Sequence, residues 1–132
     1  MMEEQMEPAG ILIVEDERII ALDLRSKLVR LGYKVSGVAH SGPDAVRLAR
    51  ELLPDVVLMD IILDGGMDGI EAAGLILSER IVPVIFVSAC NDLSTKERAT
   101  ELGCSGFISK PVDSRELAAM ILDALGGPRG CG

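Results

Sequence analysis

The stretch "GILIVEDE", Gly10 to Glu17, runs four large apolar residues, Ile11 to Val14, directly into three acids, Glu15, Asp16 and Glu17. A short β-branched run bounded by polar residues reads as a strand buried on both faces. The carboxylates at its end repel one another and bind water strongly. The most buried strand of the chain therefore delivers charge to one edge of the fold, and the rest of the sequence shows what meets it there.

Four further runs of the same kind follow: "YKVSGVA" (33–39), "DVVLMD" (55–60), "VPVIFVSA" (82–89) and "SGFISK" (105–110). Helical spacing lies between them. Ile20, Leu24, Leu28 and Leu31 share one helix face; so do Ala45, Leu48, Ala49 and Leu52, then Ile70, Ala73 and Leu77, and finally Leu117, Ile121 and Ala124. The segment from Ser94 to Leu102 is weaker, with Ala99 and Leu102 as its apolar positions. Asp68, Ser94 and Asp113 each stand three residues before a glutamate and read as N-caps. Gly32, Gly103 and Gly126 each follow a leucine where a left-handed C-cap is expected. The parse is (βα)5: a parallel five-stranded sheet covered on both faces, with the flavodoxin-like order 2-1-3-4-5. The domain is expected over residues 10–125, with 1–9 as a leader and 126–132 as a short flexible tail too small for an output domain.

Composition narrows the function. The 132 residues carry 21 acids against 13 Lys and Arg, a formal net charge of -8, and 2% aromatics. That disfavours a basic face or stacking platform for nucleic acid. Cys90, Cys104 and Cys131 are odd in number and form no CxxC pair, which fits a reducing cytosol and no disulfide framework. With His40 the only histidine, zinc is not expected. The acidic start "MMEEQMEP" is unlike a secretory signal, and no apolar run approaches a membrane span, so a soluble cytoplasmic protein is expected.

The polar exceptions share an address. Glu15 and Asp16 end strand 1, Asp60 ends strand 3, Ser88 ends strand 4, and Lys110, before Pro111, ends strand 5. All lie at strand C-termini, where α/β folds of this kind bind ligands. Three converging carboxylates repel in a partly desolvated pocket, and a hard divalent cation such as Mg2+ resolves the conflict. One candidate nucleophile, a metal cage, a cation and a hydroxyl fit phosphoryl transfer to a carboxylate.

These residues carry a resemblance. Glu15-Asp16, "LMD" ending in Asp60, "MDGIEAA", "VSA" with Ser88, and "FISKP" with Phe107, Lys110 and Pro111 follow one another in the order of the receiver (CheY-like) domain of two-component response regulators, which the chain resembles from about Gly10 to Leu125. The resemblance implies that Asp60 accepts phosphate from a phosphohistidine on a cognate histidine kinase. It implies that Asp16, Asp60 and the backbone carbonyl of Ile62 hold Mg2+ or Mn2+, with Glu15 acting through water. Ser88 and Lys110 would bind the phosphoryl group, and Phe107 would turn into the space Ser88 leaves. A face of helix 4, strand 5 and helix 5 would then meet an output partner, in a monomer or a weak phosphorylation-dependent dimer. Such a domain is a signalling switch that catalyses only its own phosphotransfer and dephosphorylation.

Three positions depart from the family pattern. Asp64 stands where a proline is usual, in a loop one residue longer; Phe107 replaces tyrosine; and Ser88 is the smaller hydroxyl choice. Rival readings are weaker. A dehalogenase-type phosphatase needs a second aspartate where Ile62 stands, and a flavin-binding flavodoxin needs a phosphate loop where this chain has Glu15-Asp16-Glu17. A phosphate-independent pseudo-receiver would lack the aspartate or the lysine. Glu17 reads as a helix-start charge, Asp64 and Asp68 as turn and cap, His40 as a loop residue, and Cys90 and Cys104 as packing residues.

Overall fold

The computed structural model describes residues 7–89 and 92–126. Strands and helices alternate: β1 (Gly10–Val14), α1 (Arg18–Arg30), β2 (Lys34–Ala39), α2 (Gly42–Leu52), β3 (Val56–Asp60), α3 (Gly69–Glu79), β4 (Val84–Ser88), α4 (Leu93–Glu101), β5 (Gly106–Ser109) and α5 (Ser114–Leu125). All strand pairs are parallel, and the sheet order is β2-β1-β3-β4-β5. This is the flavodoxin-like α/β fold that the alternation predicts.

The period-2 alternation of each strand splits the core into two layers. Leu12, Val14, Val57, Met59, Val84 and Phe86 face α2, α3 and Ala99 of α4. Ile11, Ile13, Leu58, Ile85 and Ile108 face Leu24 and Leu28 of α1 and Leu117 and Ile121 of α5. Both faces of β1, β3 and β4 are covered, and every residue in these three strands is buried. That is why they read as unbroken apolar runs. It is also why the first polar residue past each run stands out.

Helix ends match the expected chemistry in part. Asp68 and Glu71 form a reciprocal capping box at α3, and Asp113 caps α5. Gly32 and Gly103 take the left-handed conformation after α1 and α4, at φ 94 and 82. Gly126 does not: its φ is -74, and its amide bonds carbonyls of the last turn. The cap of α4 is Asp92, not Ser94; its carboxylate accepts from the Thr95 amide, and Ser94 lies in the first turn. Aspartate and serine are near-equal caps, so a local pattern does not choose between them. Leu31 falls just beyond α1 and is 37% exposed. Cys104, buried beside β5, is disulfide-bonded, which corrects the expectation of no disulfide. Spacing along the chain does not tell which cysteines a fold brings together. Cys90, Cys131 and nearly all of the proposed tail lie outside the described residues.

One glycine bears directly on the sheet edge. Gly69 opens α3 against the backbone of Asp60, and its amide donates to the Ile61 carbonyl at 2.7 Å. A Cβ there would stand 1.9 Å from the Asp60 carbonyl oxygen, whereas one on Gly66 would meet nothing within 4 Å. Backbone cannot swing aside as a side chain can. Gly69→Ala should therefore lower stability by about 2 kcal/mol or more, and Gly66→Ala by less than about 0.5 kcal/mol. Urea denaturation midpoints of the two variants check this.

Candidate functional site

β1 and β3 are neighbours in the sheet, with Val14 in register with Met59. The residues that follow Val14 and Met59 therefore emerge side by side. One carboxylate oxygen from each of Glu15, Asp16 and Asp60 lies within 4.8 Å of the other two. Glu15 is 1% exposed and Asp60 5%, while Asp16 is half-buried. An opening of about 370 Å³ is lined by Asp16, Glu17, Asp60, Ile62, Asp64, Ala89 and Lys110.

Lys110 closes the cluster from β5. Its Nζ donates to Glu15 Oε1 at 2.7 Å and to Asp60 Oδ2 at 3.3 Å. Its amide donates to the Ser88 carbonyl at 3.0 Å, extending the β4–β5 ladder past Ser109, and the Lys110–Pro111 peptide is cis. Each acid is also held by backbone. The Glu17 amide donates to Glu15 Oε2, the Ile62 amide to Asp60 Oδ1 and the Asp64 amide to Asp16 Oδ2, at 3.1, 3.3 and 3.1 Å. The longer loop after β3 thus reaches back and orients the Asp16 carboxylate.

Burial and the neighbouring Glu15 carboxylate push the Asp60 carboxyl up to about 7, against the opposing pull of Lys110. Burial also disfavours charge on Lys110, but the Glu15 and Asp60 carboxylates outweigh it and hold its pKa above the usual lysine value. The site's donors are carboxylate oxygens, with the Ile62 backbone beside them. That set suits a hard, oxygen-seeking cation and not a soft one.

The remaining residues singled out in the sequence lie around this cluster. Ser88 is fully buried at the end of β4. Phe107 is half-buried, stands opposite Phe86 in register and lies with the ammonium of Lys96 5.3 Å from its ring centroid. Ile62 is 60% exposed at the mouth. Glu17 is exposed and precedes α1 with no side-chain cap bond, as a helix-start charge should be.

Sequence reasoning missed two contributors. The Asp64 backbone amide acts on Asp16, and the one sign of it in the sequence is a residue with an N–H where the family usually has proline. His40 is half-buried and contacts the Glu15 carbonyl at 2.8 Å. The available signal was its position, just past the C-terminus of β2, on the same sheet edge as the acids.

The fold and site together define a doubly wound α/β protein with an acidic, lysine-clamped pocket at its topological switch point. The profile of the response regulator receiver domain matches residues 11–122, and the chain belongs to that family, the receiver domains of two-component signalling. It is 38% identical over 114 residues to the transcriptional regulatory protein PdtaR of Mycobacterium tuberculosis, covering 86% of this chain and 55% of that protein. The chain thus spans about half the length of the curated relative it matches. Among solved structures it resembles the signal receiver domain of a modulated diguanylate cyclase from Desulfovibrio desulfuricans, at 40% identity and TM-score 0.85, covering 91% of this chain and 95% of that one. A LuxR-family two-component response regulator from Aurantimonas matches at 32% identity and TM-score 0.86, over 96% and 90%. Receiver domains are signalling modules that bind Mg2+ at an acidic pocket and work with histidine kinases and output domains. Among the described residues, no helix is long and apolar enough to cross a membrane.

The raised pKa of Asp60 fixes the sign of a pH effect. The folded protein keeps a proton on Asp60 from its ordinary 3.8 up to about 7, and the unfolded chain does not. Metal-free stability from this group therefore falls as pH rises through that window and is flat above it. Asp60→Asn should remove that component, so in EDTA its stability advantage over wild type should grow from pH 5 to pH 8. Excess Mg2+ at pH 8 should narrow the gap. Thermal melts of both proteins, with and without Mg2+, measure it; a gap independent of pH would contradict the assignment.

Proposed function

We propose that Asp60 is the phosphoacceptor of this receiver domain and takes its phosphoryl group from a phosphohistidine on a histidine kinase. The observation that carries this reading is the meeting of Glu15, Asp16 and Asp60 beneath the Lys110 ammonium, at an opening to solvent. An Asp60 carboxylate oxygen forms the new O–P bond as the P–N bond to the kinase histidine breaks, and the bonding pair stays with the imidazole nitrogen. Lys110, already beside Asp60 Oδ2, turns its charge to the transferred oxygens. Asp16, Asp60 and the Ile62 backbone carbonyl would hold Mg2+ or Mn2+, with Glu15 acting through water. The cation supplies charge neutralisation at the phosphoryl oxygens.

The domain, residues 10–125, then acts as a switch. A phosphoryl group adds about -1.5 to -2 charges and strong acceptors. Its bonds to Ser88 and Lys110 exist only in the phosphorylated state, so they favour one packing of Ser88 and Phe107 over another. Phe107 leaves its place beside Lys96 and turns inward, and the face made by α4, β5 and α5 changes shape for an output partner. The domain is a monomer or a weak phosphorylation-dependent dimer, and it catalyses only its own phosphotransfer and dephosphorylation.

Acetyl phosphate with Mg2+ should label wild type at Asp60 and leave Asp60→Asn unlabelled; equal labelling, or labelling without a divalent cation, refutes the assignment. Lys110→Ala should weaken the phosphate-driven change more than the fold. If it chiefly lowers the melting temperature instead, Lys110 is structural. Ile62 at the mouth offers no polar group to orient an attacking water, so the aspartyl phosphate should outlast minutes; decay of the label within seconds would count against this.

A further inference from the structure

The site rests on a bend at Glu15-Asp16, and the side chain that grips this bend from outside is His40. The Glu15 backbone is held on both sides of its Cα. Its amide donates to the Ala39 carbonyl at 2.9 Å, the last rung between β1 and β2. Its carbonyl lies 2.8 Å from His40 Nδ1. The other ring nitrogen, Nε2, lies 3.2 Å from Arg18 Nη1 at the start of α1. A guanidinium can only donate, so Nε2 accepts and carries no proton. The neutral imidazole is then the Nδ1–H tautomer, and that N–H donates to Glu15. Arg18 therefore selects the tautomer, and His40 converts the choice into a hold on the peptide linking the two acids.

We infer that His40, with Arg18 behind it, is a positioning residue for the cation and phosphoryl site, setting the backbone from which the Glu15 and Asp16 carboxylates project. This rests on the reading of Asp16 as a direct holder of the cation and of Glu15 as acting on it through water. His40 touches neither the cation nor the phosphoryl group. It acts as outer partners of metal sites do, by fixing the direction of groups that do touch. The Asp64 amide on Asp16 Oδ2 and the Glu17 amide on Glu15 Oε2 orient the two side chains. With backbone and side chains both held, the acids keep their arrangement before any cation arrives.

The test is Mg2+ titration of the described protein by calorimetry and by amide NMR shifts at Asp16 and Asp60. The variants are His40→Ala, His40→Asn, His40→Gln, Arg18→Ala and Asp16→Asn. His40→Ala should weaken Mg2+ binding about threefold to tenfold, near the low end of outer-partner effects, and Arg18→Ala should weaken it less. An asparagine amide can stand in for Nδ1–H, so His40→Asn should bind Mg2+ within about twofold of wild type, and His40→Gln should not. Nitrogen-15 shifts of the neutral His40 ring should show a protonated Nδ1. Unchanged Mg2+ affinity in His40→Ala, with a clear loss in Asp16→Asn, overturns this inference alone. No loss in Asp16→Asn overturns the cation reading itself. A His40→Ala defect that tracks a fall in the metal-free melting temperature, and that asparagine fails to rescue, makes His40 a packing residue. A neutral ring protonated on Nε2 also overturns the proposal.

Discussion

One ammonium makes this arrangement tolerable. Glu15 and Asp60 are almost wholly buried and share one end of the sheet. Two carboxylates about 4 Å apart at an effective dielectric near 20 repel by about 4 kcal/mol, before either is charged for leaving water. Lys110 bridges them and offsets much of that repulsion; burial first, and the remaining push of Glu15 second, keep the Asp60 proton on up to about 7. The pocket is thus under-neutralised: three acids face one fixed cation. That shortfall leaves negative charge that a divalent cation would offset. A fully balanced ion-pair network would be inert.

The need to deliver Lys110 to Asp60 and Glu15 explains the topology better than any strand does alone. The three residues come from β1, β3 and the end of β5, separated by up to 95 positions in sequence. Parallel strands with helical crossovers place all their C-termini on one edge, so a polar residue directly after each apolar run arrives at a common place. Gly69 completes the packing from the far side, bringing the start of α3 against the Asp60 backbone where no side chain fits.

The same logic marks what could be read without coordinates. Burial on both faces leaves a strong trace, so β1, β3 and β4 and the residues ending them were legible. Interactions through backbone leave little: the hold of Asp64 on Asp16 uses an amide that every residue but proline carries, so its one trace is Asp64 itself at the usual proline position. His40 was legible as to place but not as to role, because its function lies in a tautomer set by Arg18, 22 positions away. Caps were decided by small differences. Asp92 displaced Ser94 at α4, and Leu53, not a glycine, takes the left-handed turn after α2 at φ 48. Pro54 follows it and bars continued helix, so the chain must turn where it is.

The helices differ in how they are anchored, and the difference bears on which one can move. α3 buries five residues, α1, α2 and α5 three each, and α4 only Ala99. What α4 lacks in burial it replaces with polar tethers. Arg98 pairs with Asp68 at 3.2 Å, linking α4 to the cap of α3, and the Lys96 ammonium sits over the Phe107 ring. An exposed ion pair of this kind contributes about 0–1 kcal/mol and an exposed cation–π contact about 0.5–1 kcal/mol. Buried leucines or isoleucines contribute about 1.5–3 kcal/mol each. Displacing α4 therefore costs less than displacing α1, α3 or α5, each of which buries at least one leucine or isoleucine. Both tethers end near the site, one at the loop that follows Asp60 and one on the strand that carries Lys110. The helix that buries the fewest residues is thus tied to the two elements that border the pocket, the loop after Asp60 and the strand before Lys110.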